Sequence, residues 1–169
     1  MTDYLIYEQR RKMLAKNMQK NSIAIVEASP EKIRNNDSTY RYRQCSNFYY
    51  LTGYNKPGAI LVVQKKKNNQ ISYFYSKRPN KYDSVWTGDL LTCKKISTTF
   101  GFDKTNYIDN FEKALYIFLK QSDIIYHSLT KSSSAYNILE KCMFSLERDY
   151  RKGTQLPSSQ HSVKKIIHK

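Results

Sequence analysis

Glycine is scarce in this sequence: five residues among 169, at positions 53, 58, 88, 101 and 153. Phosphate-cradling loops need clustered glycines, and neither GxGxxG nor GxxxxGK[ST] occurs. HExxH and the GxSxG serine elbow are missing too. Histidine appears three times, as His127, His161 and His168. His127 lies in a strand-like run and reads as a structural histidine. His161 and His168 stand seven apart in the tail with no carboxylate pair beside them, short of the three or four converging ligands a metal needs. The cysteines, Cys45, Cys93 and Cys142, are odd in number and far apart. That spacing points to reduced thiols in a cytoplasmic protein and against a disulfide framework. No apolar run approaches the roughly 18 residues that span a bilayer. The opening MTDYLIYEQRRK lacks the features of a signal or transit peptide. The expected setting is the cytoplasm, with no membrane contact.

Acidic side chains are the other shortage. Fourteen Asp and Glu face 29 Lys and Arg, a net charge of +15. Such a chain attracts polyanions through a long-range field. The positive residues are nonetheless spread along the chain, at 10–12, 65–67, 94–95, 151–152 and 164–165. Scattered lysines also serve solubility, and no segment concentrates them. The aspartates 37, 83, 89, 103, 109 and 123 fall at loop or helix-cap positions, where capping accounts for them. No two carboxylates have a spacing that would force them onto one face. The chain carries no self-contained catalytic constellation and no metal or cofactor motif.

What is present is a core. Apolar residues make up 40% and aromatics 14%, above what a disordered chain carries. Asp3 can cap a helix to about residue 17, with Leu5, Ile6, Met13, Leu14 and Met18 as its apolar stripe. SIAIVEA (22–28) reads as a buried strand, and the polar residues 29–45 as a long loop. Residues 48–51 read as an aromatic strand ending at Thr52-Gly53. AILVV (59–63) is the near-continuous run of a central strand, with 71–75 as its hairpin partner. Residues 78–88 form a second polar loop that carries the single tryptophan, Trp86. Asp89 can cap a helix to about 99, and 107–108 is a brief strand. NFEKALYIFLKQ (110–121) is an amphipathic helix with an Asn cap. Residues 123–128 form a strand, and 132–152 a helix ending at Gly153. The alternation predicts an α/β fold, a mixed β-sheet flanked by helices. One domain over 1–153 is expected, followed by a linker with the start of a helix over 154–169.

The stretch YRYRQCSNFYYLTGYNKPG (40–58) poses the functional question. Tyr40, Tyr42, Phe48, Tyr49 and Tyr50 are able to stack bases while Arg41, Arg43 and Lys56 hold phosphates. The RNP1 pattern is absent, however, and consecutive aromatics cannot all stay on one exposed face. Packing is the better use of these rings, which argues against a nucleic-acid partner.

DSTYRYRQCSNFYYLTGYNKPGAILVV closely resembles the N-terminal domain of the bacterial Xaa-Pro aminopeptidases (aminopeptidase P), a creatinase-type domain. Asp37, Ser38, Tyr40, Tyr42, Arg43, Gln44, Ser46, Phe48, Tyr50, Thr52, Gly53, Pro57 and Ala59 follow the family's pattern in step. The opening QRRKML is similar to the family's start. Arg78-Pro79 with Val85-Trp86-Thr87-Gly88 looks like its tryptophan loop, and SVKKIIHK resembles its approach to a second domain. Ser84 replaces the family's Glu, Asp89-Leu90 its Arg region, and Cys45 and Asn47 its Asn and Asp. These departures would alter the polar network of the loop.

The resemblance implies a non-catalytic domain that packs on a pita-bread catalytic domain, joins in a homo-oligomer and walls the substrate channel. Trp86, with Arg78 and Gly88, would face the channel or a neighbouring subunit. The family's metals are two divalent ions, usually Mn(II), held by two Asp, one His and two Glu of the second domain, and none of those motifs occurs here. The chain would be a domain of a longer polypeptide, one product of a split gene, or a truncated relative. The alternative is a stand-alone basic protein that binds nucleic acid or an acidic partner.

Overall fold

The computed structural model describes residues 4–35, 38–79, 91–150, 153–154 and 156–167. The chain runs α1 (Tyr4–Asn17), β1 (Ser22–Glu27), β2 (Ile33–Asn35), β3 (Ser38–Thr39), α2 (Ser46–Thr52), β4 (Ala59–Lys65) and β5 (Gln70–Ser76). It continues with α3 (Cys93–Phe100), β6 (Lys104–Tyr107), a 3₁₀ turn (Ile108–Asn110), α4 (Phe111–Lys120), β7 (Ile124–His127), α5 (Ser134–Tyr150), β8 (Ser159–Ser162) and a 3₁₀ turn (Val163–Lys165). Six strands form one mixed sheet in the order β6-β5-β4-β1-β7-β8, and β2 and β3 make a small separate ribbon. β4 is antiparallel to β1 and β5, whereas β7 runs parallel to β1 and β8, and β6 parallel to β5.

Both faces of the sheet are covered, which explains why β1 and β4 carry unbroken apolar runs. Alternation along the strands divides the core in two. Ala24, Val26, Leu61, Val63 and Phe74 point to one side, where Leu14 of α1, Phe48 and Leu51 of α2 and Ile96 of α3 cover them. Ile23, Ile25, Ile60, Val62 and Tyr75 point to the other, under Phe111, Leu115 and Leu119 of α4 and Leu139, Cys142 and Leu146 of α5. The α4 set repeats at i, i+4 and i+8, the stripe expected of a helix with one buried face.

Three expectations are corrected. Residues 48–51 are not a strand: they lie in α2, where Phe48, Leu51 and Thr52 are buried and Tyr49 is exposed. Burial at i, i+3 and i+4 is helical, and it prevails over the β-propensity of three adjacent aromatics. In α1 the buried face is Arg11, Leu14 and Ala15, continued by Met18 just beyond its end, while Leu5, Ile6 and Met13 are exposed. Asn110 precedes α4 but caps nothing with its side chain, donating instead from Nδ2 to Asn106 Oδ1 at 2.9 Å. Thr92 is the cap of α3, accepting from the Lys95 N–H; Asp3 and Asp89, expected as caps, lie outside the described residues.

The segment 154–169, expected as linker and helix start, supplies the edge strand β8, paired with β7. Its residues Val163, Ile166 and Ile167 are buried in the same cluster as α1 and α2. Asn17 Nδ2 donates to the Ile166 carbonyl at 3.0 Å, joining the two ends of the chain.

Candidate functional site

The motif residues gather where β1 ends, around the loop that leads into α2. Gln44 is buried and uses its whole amide. Oε1 accepts from the Ser29 N–H at 2.8 Å and the Cys45 N–H at 2.9 Å. Nε2 donates to the carbonyls of Tyr54 and Lys56, each at 3.1 Å. One side chain thus clips the exit of β1, the entry to α2 and the turn after it. A buried polar group satisfied at every valence rigidifies its surroundings. Tyr42 adds a second tie, its hydroxyl donating to the Ser29 carbonyl at 3.1 Å, and burial raises its pKa above that of a free tyrosine. Thr52 Oγ1 donates to the Phe48 carbonyl and accepts from the Tyr54 N–H.

Gly53 ends α2 with φ +67° and donates its N–H to the Tyr49 carbonyl at 2.8 Å. A Cβ there would lie 2.4 Å from the Tyr7 ring, so glycine is required by both the backbone and the neighbour. Phe48 is fully buried against Phe74. Tyr50 lies under the Arg10 guanidinium, 4.3 Å from the ring centre, and its carbonyl accepts from Arg10 Nη1. Pro57 is half-buried before the tight Gly58 turn, whose carbonyl accepts from the Lys77 N–H.

Tyr40 and Arg43 remain exposed. They line, with Lys32, Arg41, Tyr42 and Gln44, a groove of about 470 Å³. Three cations and two phenols suit an anionic or peptide ligand better than an apolar one. The loop is held to the body of the domain through Gln44.

Arg78 is exposed, donating from Nε to Asp109 Oδ2 at 2.6 Å and stacking 4.5 Å from the Tyr107 ring centre. Asp37, Trp86 and Gly88 lie outside the described residues. His127 sits in β7 beside β8, and its Nδ1 has no hydrogen-bond partner among the described residues. Burial lowers its pKa, partly offset by Gln160.

The residue that the sequence hid is Arg11. It is 3% exposed. Nη1 donates to the Leu51 carbonyl at 3.0 Å, and Nη2 to the carbonyls of Phe100, at 3.0 Å, and Gly101. The guanidinium therefore caps the carboxyl ends of α2 and α3 together, where helix dipoles favour a cation. Burial lowers its pKa to about 10, against the opposing pull of Asp103 and Glu8. The charged pair Arg10-Arg11 gave no sign that its second member is interior.

Among the described residues no group of three or more His, Cys, Asp or Glu is able to hold a metal. The described residues of the motif build a clipped loop and a basic groove. What these features define is a three-layer, mixed-sheet α/β domain organised around that loop. The chain belongs to the family described as aminopeptidase P, N-terminal domain, whose sequence model matches residues 7–126. It is 28% identical over 163 residues to the Xaa-Pro aminopeptidase of Escherichia coli, covering 96% of this chain and 37% of that protein. The Xaa-Pro aminopeptidase of Haemophilus influenzae is 31% identical over 121 residues, 72% of this chain and 28% of that one. Among solved structures, aminopeptidase P from E. coli in its low-pH form superposes with TM-score 0.90 and 27% identity, over 99% of this chain and 38% of that one. Proline aminopeptidase P II from Yersinia pestis gives TM-score 0.89 and 31% identity over the same shares. The chain thus spans less than two fifths of the length of each of these proteins.

Proposed function

We propose that this chain shapes a proline-specific aminopeptidase without carrying its chemistry. It packs on a catalytic domain, joins in a homo-oligomer and forms part of the wall through which peptides with proline second reach the active site. The observation that supports this best is the Gln44 clip: four hydrogen bonds from one buried amide hold the motif loop rigid and leave its basic rim exposed. A rigid, ligand-facing rim is what a channel wall requires.

Trp86 and Gly88, with Arg78 before them, are the residues we assign to the channel or to a neighbouring subunit. Arg78 is held by Asp109 and Tyr107 and so marks where that loop leaves the sheet. The two Mn(II) ions would belong to the catalytic domain, since the described residues here do not fit a metal. Residues 154–169 would both complete this domain's sheet and lead toward its partner. The proposed setting is the cytoplasm; among the described residues no helix is long and apolar enough to cross a membrane.

The test is reconstitution. The pure chain with Mn²⁺ and an Xaa-Pro peptide is expected to show no turnover. Mixed with the separately expressed catalytic domain of the E. coli relative, it is expected to co-sediment and to restore discrimination against long or folded substrates. Turnover by the chain alone, or no association with that domain, would overturn the reading.

A further inference from the structure

Charges far apart in the sequence meet at one end of the sheet. Lys12 and Lys16 come from the second half of α1, Lys65 from the end of β4, and Lys66 and Lys67 from the turn between β4 and β5. With Asn68, Asn69 and Gln70 they line an open groove of about 370 Å³. Lys65 holds the two segments together: its Nζ donates to the carbonyls of Lys16 at 3.2 Å and Met18 at 2.6 Å, at the carboxyl end of α1. The turn is closed by the Lys66 N–H on the Asn69 carbonyl at 2.8 Å.

Lys12, Lys16, Lys66 and Lys67 are exposed. Lys12 is paired with Glu8, but among the described residues no carboxylate pairs with Lys16, Lys66 or Lys67. An adjoining groove shares Lys12, Asn69 and Gln70 and carries two carboxylates, both engaged: Glu8 by Lys12, and Asp103 by the Ser72 N–H and hydroxyl. The lysine groove is therefore a patch of uncompensated positive charge on a chain already at +15.

We propose that this groove binds the phosphate backbone of nucleic acid without regard to base sequence. Ammonium groups serve phosphates as point charges, and no arginine fork lines the groove to favour paired carboxylates. Ala15 is its one apolar lining residue. A helical peptide would find no hydrophobic anchor there, and a bilayer no side chain to receive. No aromatic ring lines the groove either, so base stacking plays no part and a duplex backbone is the natural ligand. The site is separate from the Gln44 loop and stands whether or not the channel-wall reading does.

The experiment is fluorescence anisotropy of the full chain with a labelled DNA duplex of about 20 base pairs, titrated across salt. Each phosphate neutralised contributes about −0.9 to the slope of log K against log salt. The variant Lys16→Gln, Lys66→Gln, Lys67→Gln is expected to flatten that slope by about 2.7, and Lys66→Gln, Lys67→Gln alone by about 1.8. A control with equal charge loss, Lys94→Gln, Lys95→Gln, Lys113→Gln on α3 and α4, is expected to change it by less than about 1. Far-ultraviolet circular dichroism establishes that each variant is folded. No binding at low salt, equal flattening by the control, or tighter binding to polyglutamate or to phosphatidylserine vesicles than to the duplex would overturn the proposal.

Discussion

Arg11 donates from Nη1 to the carbonyl of Leu51 at 3.0 Å, so a cation of the first helix closes the last turn of the second, forty residues on. The other arm of the same guanidinium closes α3.

Arg11→Met removes a charged donor from three carbonyls at two helix ends. A loss of about 1.5–3 kcal/mol of stability is expected, the range for hydrogen bonds to charged groups. Arg11→Lys should recover less than half of it, because an ammonium cannot reach both helix ends as the planar fork does. Urea unfolding midpoints at constant m-value measure both.

Gln44→Glu keeps the acceptor facing Ser29 and Cys45 but turns the two donors facing the Tyr54 and Lys56 carbonyls into carboxylate oxygen. It is expected to cost at least as much as Gln44→Leu, for which about 1–3 kcal/mol follows from unpaired buried groups. Amide exchange at Ser29 and Cys45 should speed up in the leucine variant and less so in the glutamate variant. Equal protection in both would show that the clip is not what orders the loop.

Gly53→Ala and Gly153→Ala separate strain from crowding. Both glycines have positive φ, +67° and +86°, but only at 53 would a Cβ strike a neighbour. Gly153→Ala should cost about 1–2 kcal/mol of backbone strain. Gly53→Ala should cost more, because the Tyr7 ring must also move.

Alkali should unfold the chain. Burial raises Tyr54 and Tyr75 to about 12 and Cys142 to about 11, and raises Tyr42 as well. Each such group keeps its proton longer when folded, so its stabilisation is complete below the unfolded pKa and is lost as pH climbs through the folded one. For Cys142 that window is about 9 to 11, and for Tyr54 and Tyr75 about 10 to 12. Arg11 has the opposite sign, since its lowered pKa makes the folded chain release that proton first, but it is one group against several. Absorbance at about 295 nm should show a late tyrosine class that ionises only as circular dichroism is lost. Smooth titration of all tyrosines near 10 with the fold intact would contradict this.

Much of the fold was legible because central strands covered on both faces must be apolar throughout. SIAIVE and AILVVQK announce themselves, as does the i, i+4, i+8 stripe of α4. The motif from Asp37 to Ala59 was legible as family resemblance. The form of α2 was not, since an FYY run has strand propensity and only contacts with Phe74 and α1 select the helical period. Nor was β8: a polar SQHS becomes a strand because β7 offers it an unpaired edge.

Sequence by itself determined composition, charge, the two-sided core and family membership, because these depend on residue identity and local spacing. Tertiary structure alone decided which arginine goes inside, which tail completes the sheet and where lysines fifty residues apart converge. Those outcomes depend on which carbonyls, edges and turns are brought within a few ångströms, and no local pattern encodes that.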